Sequence, residues 1–190
     1  MIFETNRLIL REMTPEDLEP LFAVLGDKTI MIHYPYTFDR ERVRNWIRRN
    51  QDRYQRDGFG LWAVVLKETG EMIGDCGITM QDIRGQMLPE VGYHIRADLQ
   101  RRGYATEATA GCIRWLFENY DFPAVYSYMK YTNIPSQKTA MKNGMQFLEE
   151  YEDRDNTYTR VYRLRRKDWS EVLCEPYAGK VQGSPLPGGC

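Results

Sequence analysis

Leu99-Gln100-Arg101-Arg102-Gly103-Tyr104-Ala105-Thr106-Glu107-Ala108 joins a strand-like segment, Glu90-Val91-Gly92-Tyr93-His94-Ile95, to a strongly periodic helix that begins near Ala105. A loop that holds a glycine and feeds straight into a helix N-terminus presents free backbone N–H groups and the positive end of the helix dipole. Together these favour an anion. Arg101 and Arg102 add to that field, so the expected ligand is phosphorylated. The stretch has neither the Gly-rich element ending in Lys-Ser/Thr nor the three-glycine dinucleotide fingerprint. What it has is Gln/Arg-x-x-Gly-x-Ala, with Gly103 placed where the backbone must approach a phosphate closely.

Working outward, Arg7 to Met13 reads as a strand. Thr14-Pro15-Glu16-Asp17 reads as the start of a helix that runs to about Leu25 and ends at Gly26. Asp39 is the expected cap of a second helix, with Val43, Ile47, Gln51 and Tyr54 on its buried side and Arg40, Arg44, Arg48 and Arg49 on a solvated face. Leu61 to Leu66 is a continuous apolar run suited to a central strand. Lys67-Glu68-Thr69-Gly70-Glu71 turns into a returning strand, Met72 to Met80, where Gly74 and Gly77 suggest a bulge. After the helix carrying Ala108, Cys112 and Leu116 come a strand from Ala124 to Tyr131, a helix from Ser136 to Asn143 closed by Gly144, and strands near 146–151 and 157–164. Asp153-Arg154-Asp155-Asn156 joins those two. Strands with interspersed helices give an α/β (α+β) fold. Residues 1–170 are expected to form one domain, and 171–190, ending in the low-complexity run from Gly179 to Cys190, a flexible tail.

A chain of 190 residues, 42% of them hydrophobic, can bury a single core. A net charge of -1 gives no argument for nucleic acid or an anionic membrane as partner. No apolar run is long enough to span a membrane, and an N-terminus that enters an alternating strand at once is not a signal peptide. Cys76, Cys112, Cys174 and Cys190 lack paired close spacing, and His33 and His94 are the two histidines, so no metal site is expected. The simplest reading is a reduced, cytoplasmic protein, a monomer or homodimer.

The loop, with the strand before it and the helix after it, resembles the acetyl-CoA signature of the GNAT acyltransferases. Downstream, Asn133-Ile134-Pro135-Ser136 followed by a short helix and Lys142-Asn143-Gly144-Met145 resembles that family's Asn-x-x-Ser and Lys-x-Gly-Phe elements, with Met145 in place of the aromatic. Arg7-Leu8-Ile9-Leu10-Arg11 and Met31-Ile32-His33-Tyr34-Pro35 look like the branch of ribosomal-protein N-terminal acetyltransferases. The resemblance spans roughly residues 2 to 169. It implies a mixed, mostly antiparallel sheet of about seven strands, splayed in the middle and flanked by about four helices.

It also implies transfer of an acetyl group from acetyl-CoA, as cosubstrate, to a primary amine. The pyrophosphate would be held by the amides of Arg101, Arg102, Gly103, Tyr104 and Ala105, with Gln100 opening the motif and Thr106 in the first helical turn. Tyr93, His94 and Ile95 would align the pantetheine arm by their main chain, and Asn133 would touch it. Glu90 is the first choice of general base, since burial between Pro89 and Val91 would raise its pKa; Asp155 and Glu150 are the others. His94, alternating with Tyr93, is expected to point away from the cleft. Many members use a tyrosine to protonate the departing thiolate, and here that place is Ala140. Ser136 is the substitute, then Tyr131; Ser136 would also contact the cofactor. Lys138 or Lys142 would meet the nucleotide phosphates.

His33, Tyr34, Tyr36 and Trp46 lie where the family walls its acceptor pocket, Trp46 also suiting core packing. The acceptor could be a protein N-terminus or a small molecule. Rival readings are an acyl-CoA-binding or sensing protein on the same fold, a partner-binding module with a vestigial loop, and a cysteine-nucleophile transferase. Cys76 and Cys112 sit in core-facing elements, which argues against the last.

Overall fold

The computed structural model describes residues 1–33, 38–153 and 157–169. Tyr34, Tyr36 and Asp155, and the expected tail, lie outside the described residues. Eight strands form one sheet: β1 (Phe3–Glu4), β2 (Leu8–Arg11), β3 (Leu61–Leu66), β4 (Met72–Ile83), β5 (Gln86–Ile95), β6 (Ala124–Lys130), β7 (Gln146–Glu152) and β8 (Tyr158–Arg165). They lie in the order β1-β2-β3-β4-β5-β6-β8-β7. The strand beyond the expected seven is β1, two residues that fold back on β2 through the Thr5–Leu8 turn. Every neighbouring pair is antiparallel except β5 and β6. These run parallel and are matched at a single pair, Glu90 with Tyr126. Beyond that pair the two halves of the sheet part.

Four helices pack on the sheet: α1 (Leu18–Leu25), α2 (Arg40–Asp57), α3 (Tyr104–Asn119) and α4 (Ile134–Lys142). The apolar run of β3 is explained by its two covered faces. Leu61, Ala63 and Val65 join the core beneath α1 and α2. Trp62, Val64 and Leu66 join the larger core beneath α3. Asp39 caps α2 by accepting from Arg42 N–H, and Gly58, at φ +79°, ends it. The buried stripe of α2 carries Asn50 rather than Gln51. Asn50 is fully buried because its Oδ1 accepts from Leu61 N–H, tying the helix to the start of β3.

The bulge lies at Ile73, where the β3–β4 register slips between Val64 and Val65. Gly77 stays in register and has a different purpose: a Cβ there would stand 2.0 Å from the Gly60 carbonyl oxygen. β5 begins at Gln86, earlier than expected, because Arg84 (φ 53°) and Gly85 (φ 82°) form a tight turn to β4. Cys76 on β4 and Cys112 on α3 meet in the core with sulfurs 3.5 Å apart, and burial pushes the Cys112 thiol pKa up, opposite to what a nucleophile needs. Among the described residues no helix is long and apolar enough to cross a membrane, and no three His, Cys, Asp or Glu side chains group to hold a metal.

Candidate active site

The loop between β5 and α3 is held in shape by a clamp from the other end of the chain. Arg101 (φ 62°) and Gly103 (φ 86°) both take left-handed conformations, which turn successive amides toward a common side. Among the described residues nothing accepts a hydrogen bond from the main-chain N–H groups of residues 101–106. Arg7 fixes the carbonyl side, its Nη1 donating to Arg102 O at 3.0 Å. The same guanidinium pairs with Glu107 at 2.6 Å and lies 4.4 Å from the centre of the Tyr104 ring. Glu107 is buried and also accepts from Arg7 N–H and the Thr5 hydroxyl. Gln100 braces the loop by donating from Nε2 to Ile95 O. The side chain of Ile95 belongs to the core, whereas Arg101 and Arg102 are exposed.

Where β5 and β6 part lies a cavity of about 520 Å³. Glu90 stands on its floor. Burial raises its pKa to about 8, against the opposing pull of the Thr79 hydroxyl, 3.4 Å away, and of the Arg53 charge. Gly92, two residues on and facing the same side, leaves the floor bare beside that carboxyl, since a Cβ there would sit 3.1 Å from Glu90 Oε2.

Tyr93 and His94 alternate as expected, yet both border the cavity. The expectation that His94 points away is corrected, because the cleft cuts through the sheet and is reached from both faces. His94 is buried, with Nδ1 2.7 Å from Oδ1 of the fully buried Asp75. Asp75 Oδ2 accepts from Trp46 Nε1 at 2.9 Å. Trp46 packs edge-on against Phe38, as core packing requires, and also lines the cavity.

On the other face the Tyr93 hydroxyl donates to Ser136 Oγ at 3.2 Å. Ser136 N–H donates to Asn133 Oδ1, so Asn133 caps α4 while both residues line the cavity. Ala140 is buried beneath them. His33 reaches the cavity rim beside Thr132. Several candidates stand apart. Tyr131 is 45% exposed and does not line the cavity. Glu150 is ion-paired with Arg160 at 2.6 Å and is likewise outside it. Lys138 and Lys142 lie exposed on α4. Residues that the sequence did not single out are Asp75, Arg53 on α2, Tyr128 and Lys130 on β6, and the hydroxyl of Tyr93. Each is brought in by pairing between segments far apart in the chain, which leaves no local pattern.

Comparison with known proteins agrees with this architecture. The family described as Acetyltransferase (GNAT) domain matches residues 7–146. The protein YkkB of Bacillus subtilis is 33% identical over 144 residues, covering 75% of this chain and 84% of its own. The N-acetyltransferase p20 of Bacillus licheniformis is 29% identical over 183 residues, 92% of this chain and 97% of its own. Among solved structures, RimL, a ribosomal L7/L12 alpha-N-protein acetyltransferase in complex with coenzyme A, shares the fold with a TM-score of 0.72 at 16% identity, over 86% of this chain and 97% of its own. The family match extends over most of the chain, from the clamp residue Arg7 through the loop and the cavity strands, and this chain belongs to the GNAT family of N-acetyltransferases.

Proposed function

We propose that this chain, through a domain spanning residues 1–170, moves an acetyl group from acetyl-CoA directly to a primary amine, with both substrates bound together. The observation that carries this reading is the loop at residues 101–106, whose unanswered amides at the start of a 16-residue helix open beside a cavity holding a buried carboxyl. The amides suit a pyrophosphate. The parted edges of β5 and β6 suit an extended pantetheine arm, as if it were a further strand.

Glu90 is the proposed proton acceptor. A pKa of about 8 lies close to that of an α-amine and well below that of lysine, so proton transfer from an α-ammonium is nearly balanced. This favours an α-amine as acceptor, and the fold shared with RimL is in keeping with it. The nitrogen, once neutral, attacks the thioester carbonyl. The departing thiolate needs a proton. Ser136 is placed to give one, because Tyr93 donates to its Oγ and leaves the serine hydrogen able to point into the cavity.

Calorimetric titration with acetyl-CoA and with desulfo-CoA, followed by thiol release across a panel of amines, tests the reading. Micromolar binding with turnover on at least one amine is expected. Tight binding without any turnover would favour an acyl-CoA sensor, and no binding by folded protein would overturn the assignment.

A further inference from the structure

The cavity that would receive an ammonium is walled by cations. Arg53 enters it from α2 and Lys130 from the end of β6. Arg7, Arg11, Arg40, Arg84 and Arg160 each have a carboxylate within 2.6–2.8 Å. Among the described residues Arg53 and Lys130 have none at ion-pairing distance. Arg53 is half-buried. Its neighbours one turn away on the helix are Arg49 and Arg56, and burial together with their charge pulls its pKa down. Burial, with the Lys130 charge added to it, likewise lowers the pKa of His33.

Among the described residues the carboxylates nearest the cavity are committed elsewhere and do not pair with these two cations. Glu90 is buried, with the Thr79 hydroxyl 3.4 Å away. Asp153 spends its carboxylate on Thr157 N–H, the Thr157 hydroxyl and the Thr159 hydroxyl, at 3.1, 2.6 and 3.0 Å. Asp75 is turned to Trp46 and His94. Arg53 and Lys130 are therefore open to an anion that an incoming molecule supplies, an attraction that a simple ammonium lacks.

Arg53 is also held for such a partner. Its Nη1 donates to Asn50 Oδ1 at 3.1 Å, and Asn50 is fixed by burial and by the Leu61 N–H bond. That contact sets the plane of the guanidinium and leaves Nε and Nη2, the edge that takes a carboxylate side-on, without a protein acceptor among the described residues. We propose that the acceptor is an amine carrying a carboxylate close to its nitrogen, with Arg53 gripping the carboxylate while the amine faces Glu90. The inference rests on the acetyl-transfer reading and names the substrate class within it. The carboxylate belongs either to a free α-amino acid or to an acidic residue near the start of a polypeptide.

The experiment measures thiol release from acetyl-CoA by the full chain with paired acceptors. One pair is L-alanine and L-alaninamide. The other is two hexapeptides that begin with alanine and carry either aspartates or lysines at the second and third positions. The acidic member of at least one pair is expected to show a kcat/KM about tenfold or more above its partner, the size of one charge-assisted contact. Which pair responds identifies the source of the carboxylate. Arg53→Gln should raise KM for the acidic acceptor and bring the ratio toward one, and Arg53→Lys should restore part of it. Acetyl-CoA affinity of each variant reports whether the fold and cofactor loop persist, and Lys130→Gln provides the same comparison if the Asn50 contact proves necessary for folding. Equal rates within both pairs, a preference for the neutral or basic members, or an acidic preference that survives both Arg53→Gln and Lys130→Gln would overturn the inference. Acetylation of other amines with none of these four would overturn it and leave the transfer reading standing. Failure of the wild-type chain to bind acetyl-CoA would instead sink the reading itself.

Discussion

Asp75 and His94 face each other across the β4–β5 pairing, carboxylate Oδ1 to imidazole Nδ1 at 2.7 Å, with Asp75 buried completely. Because the Trp46 indole can only donate, and does so to the same carboxyl, Asp75 acts as acceptor on both oxygens. This arrangement selects, for the neutral imidazole of His94, the tautomer with its hydrogen on Nδ1. The chain has just two histidines, so the His33→Gln variant assigns the ring signals in a nitrogen-15 NMR spectrum. The Nδ1–H tautomer is expected for His94. Asp75→Asn would present an amide donor to Nδ1 and should shift the hydrogen to Nε2. An Nε2–H tautomer in the unaltered chain would contradict the arrangement.

Glu90 couples the site to stability. Its folded pKa of about 8 lies above the ordinary carboxyl value of 4.5, so between those two pH values the unfolded chain has released a proton that the folded chain retains. The folded state binds more protons, and its stability therefore falls as pH rises from about 4.5 to about 8. The Glu90→Gln variant should lack this slope and be the more stable protein above pH 8, by up to a few kcal/mol. Thermal unfolding from pH 5 to pH 9 measures it. The same variant should lose most turnover while keeping its affinity for acetyl-CoA.

Gly103 answers for the loop. At φ 86° a side chain is strained, and a Cβ would sit 3.3 Å from Arg7 Nη2. Gly103→Ala should weaken acetyl-CoA binding by about tenfold, the order expected for ~1–2 kcal/mol of left-handed strain. Gly103→Glu adds a negative charge among the amides and should abolish binding. Calorimetry that finds wild-type affinity in both would place the pyrophosphate elsewhere.

Ser136 and Tyr93 form the proposed proton path to the thiolate, 3.2 Å apart. Ser136→Ala should slow single-turnover acetyl transfer by roughly a hundredfold, the lower end of the range for an acid catalyst. Tyr93→Phe should slow it less, since the serine keeps its own hydrogen. Wild-type rates in both variants would assign the proton to solvent.

The parts of this molecule that could be read in advance are those written in consecutive residues. The 99–108 stretch, the Ala108-Cys112-Leu116 face of α3 and the apolar run of β3 each state a local geometry through glycine placement or side-chain period, and tertiary packing agrees with them. The 84–85 turn was equally local, but Arg84 is not a residue that announces a left-handed conformation, so β5 was expected to start too late. Long-range partners escaped for another reason. Asp75 reaches His94 from 19 residues away and Trp46 from 29, and Arg7 reaches Glu107 from 100. Alternation placed Tyr93 and His94 on opposite faces correctly, but it could not tell that the cleft opens to both.

The clamp that Arg7 places on the loop has a thermodynamic consequence. A flexible anion-binding loop must lose its freedom when the ligand arrives, and affinity suffers by that amount. Here the carbonyl of Arg102, the ring of Tyr104 and the carboxylate of Glu107 are already anchored to the turn between the first two strands. The ordering cost is met once, during folding, and the cradle stands preorganised. Loosening it with Glu107→Gln would leave every ligand-facing amide in the chain yet lower affinity, and the loss should register in calorimetry as a less favourable entropy of association.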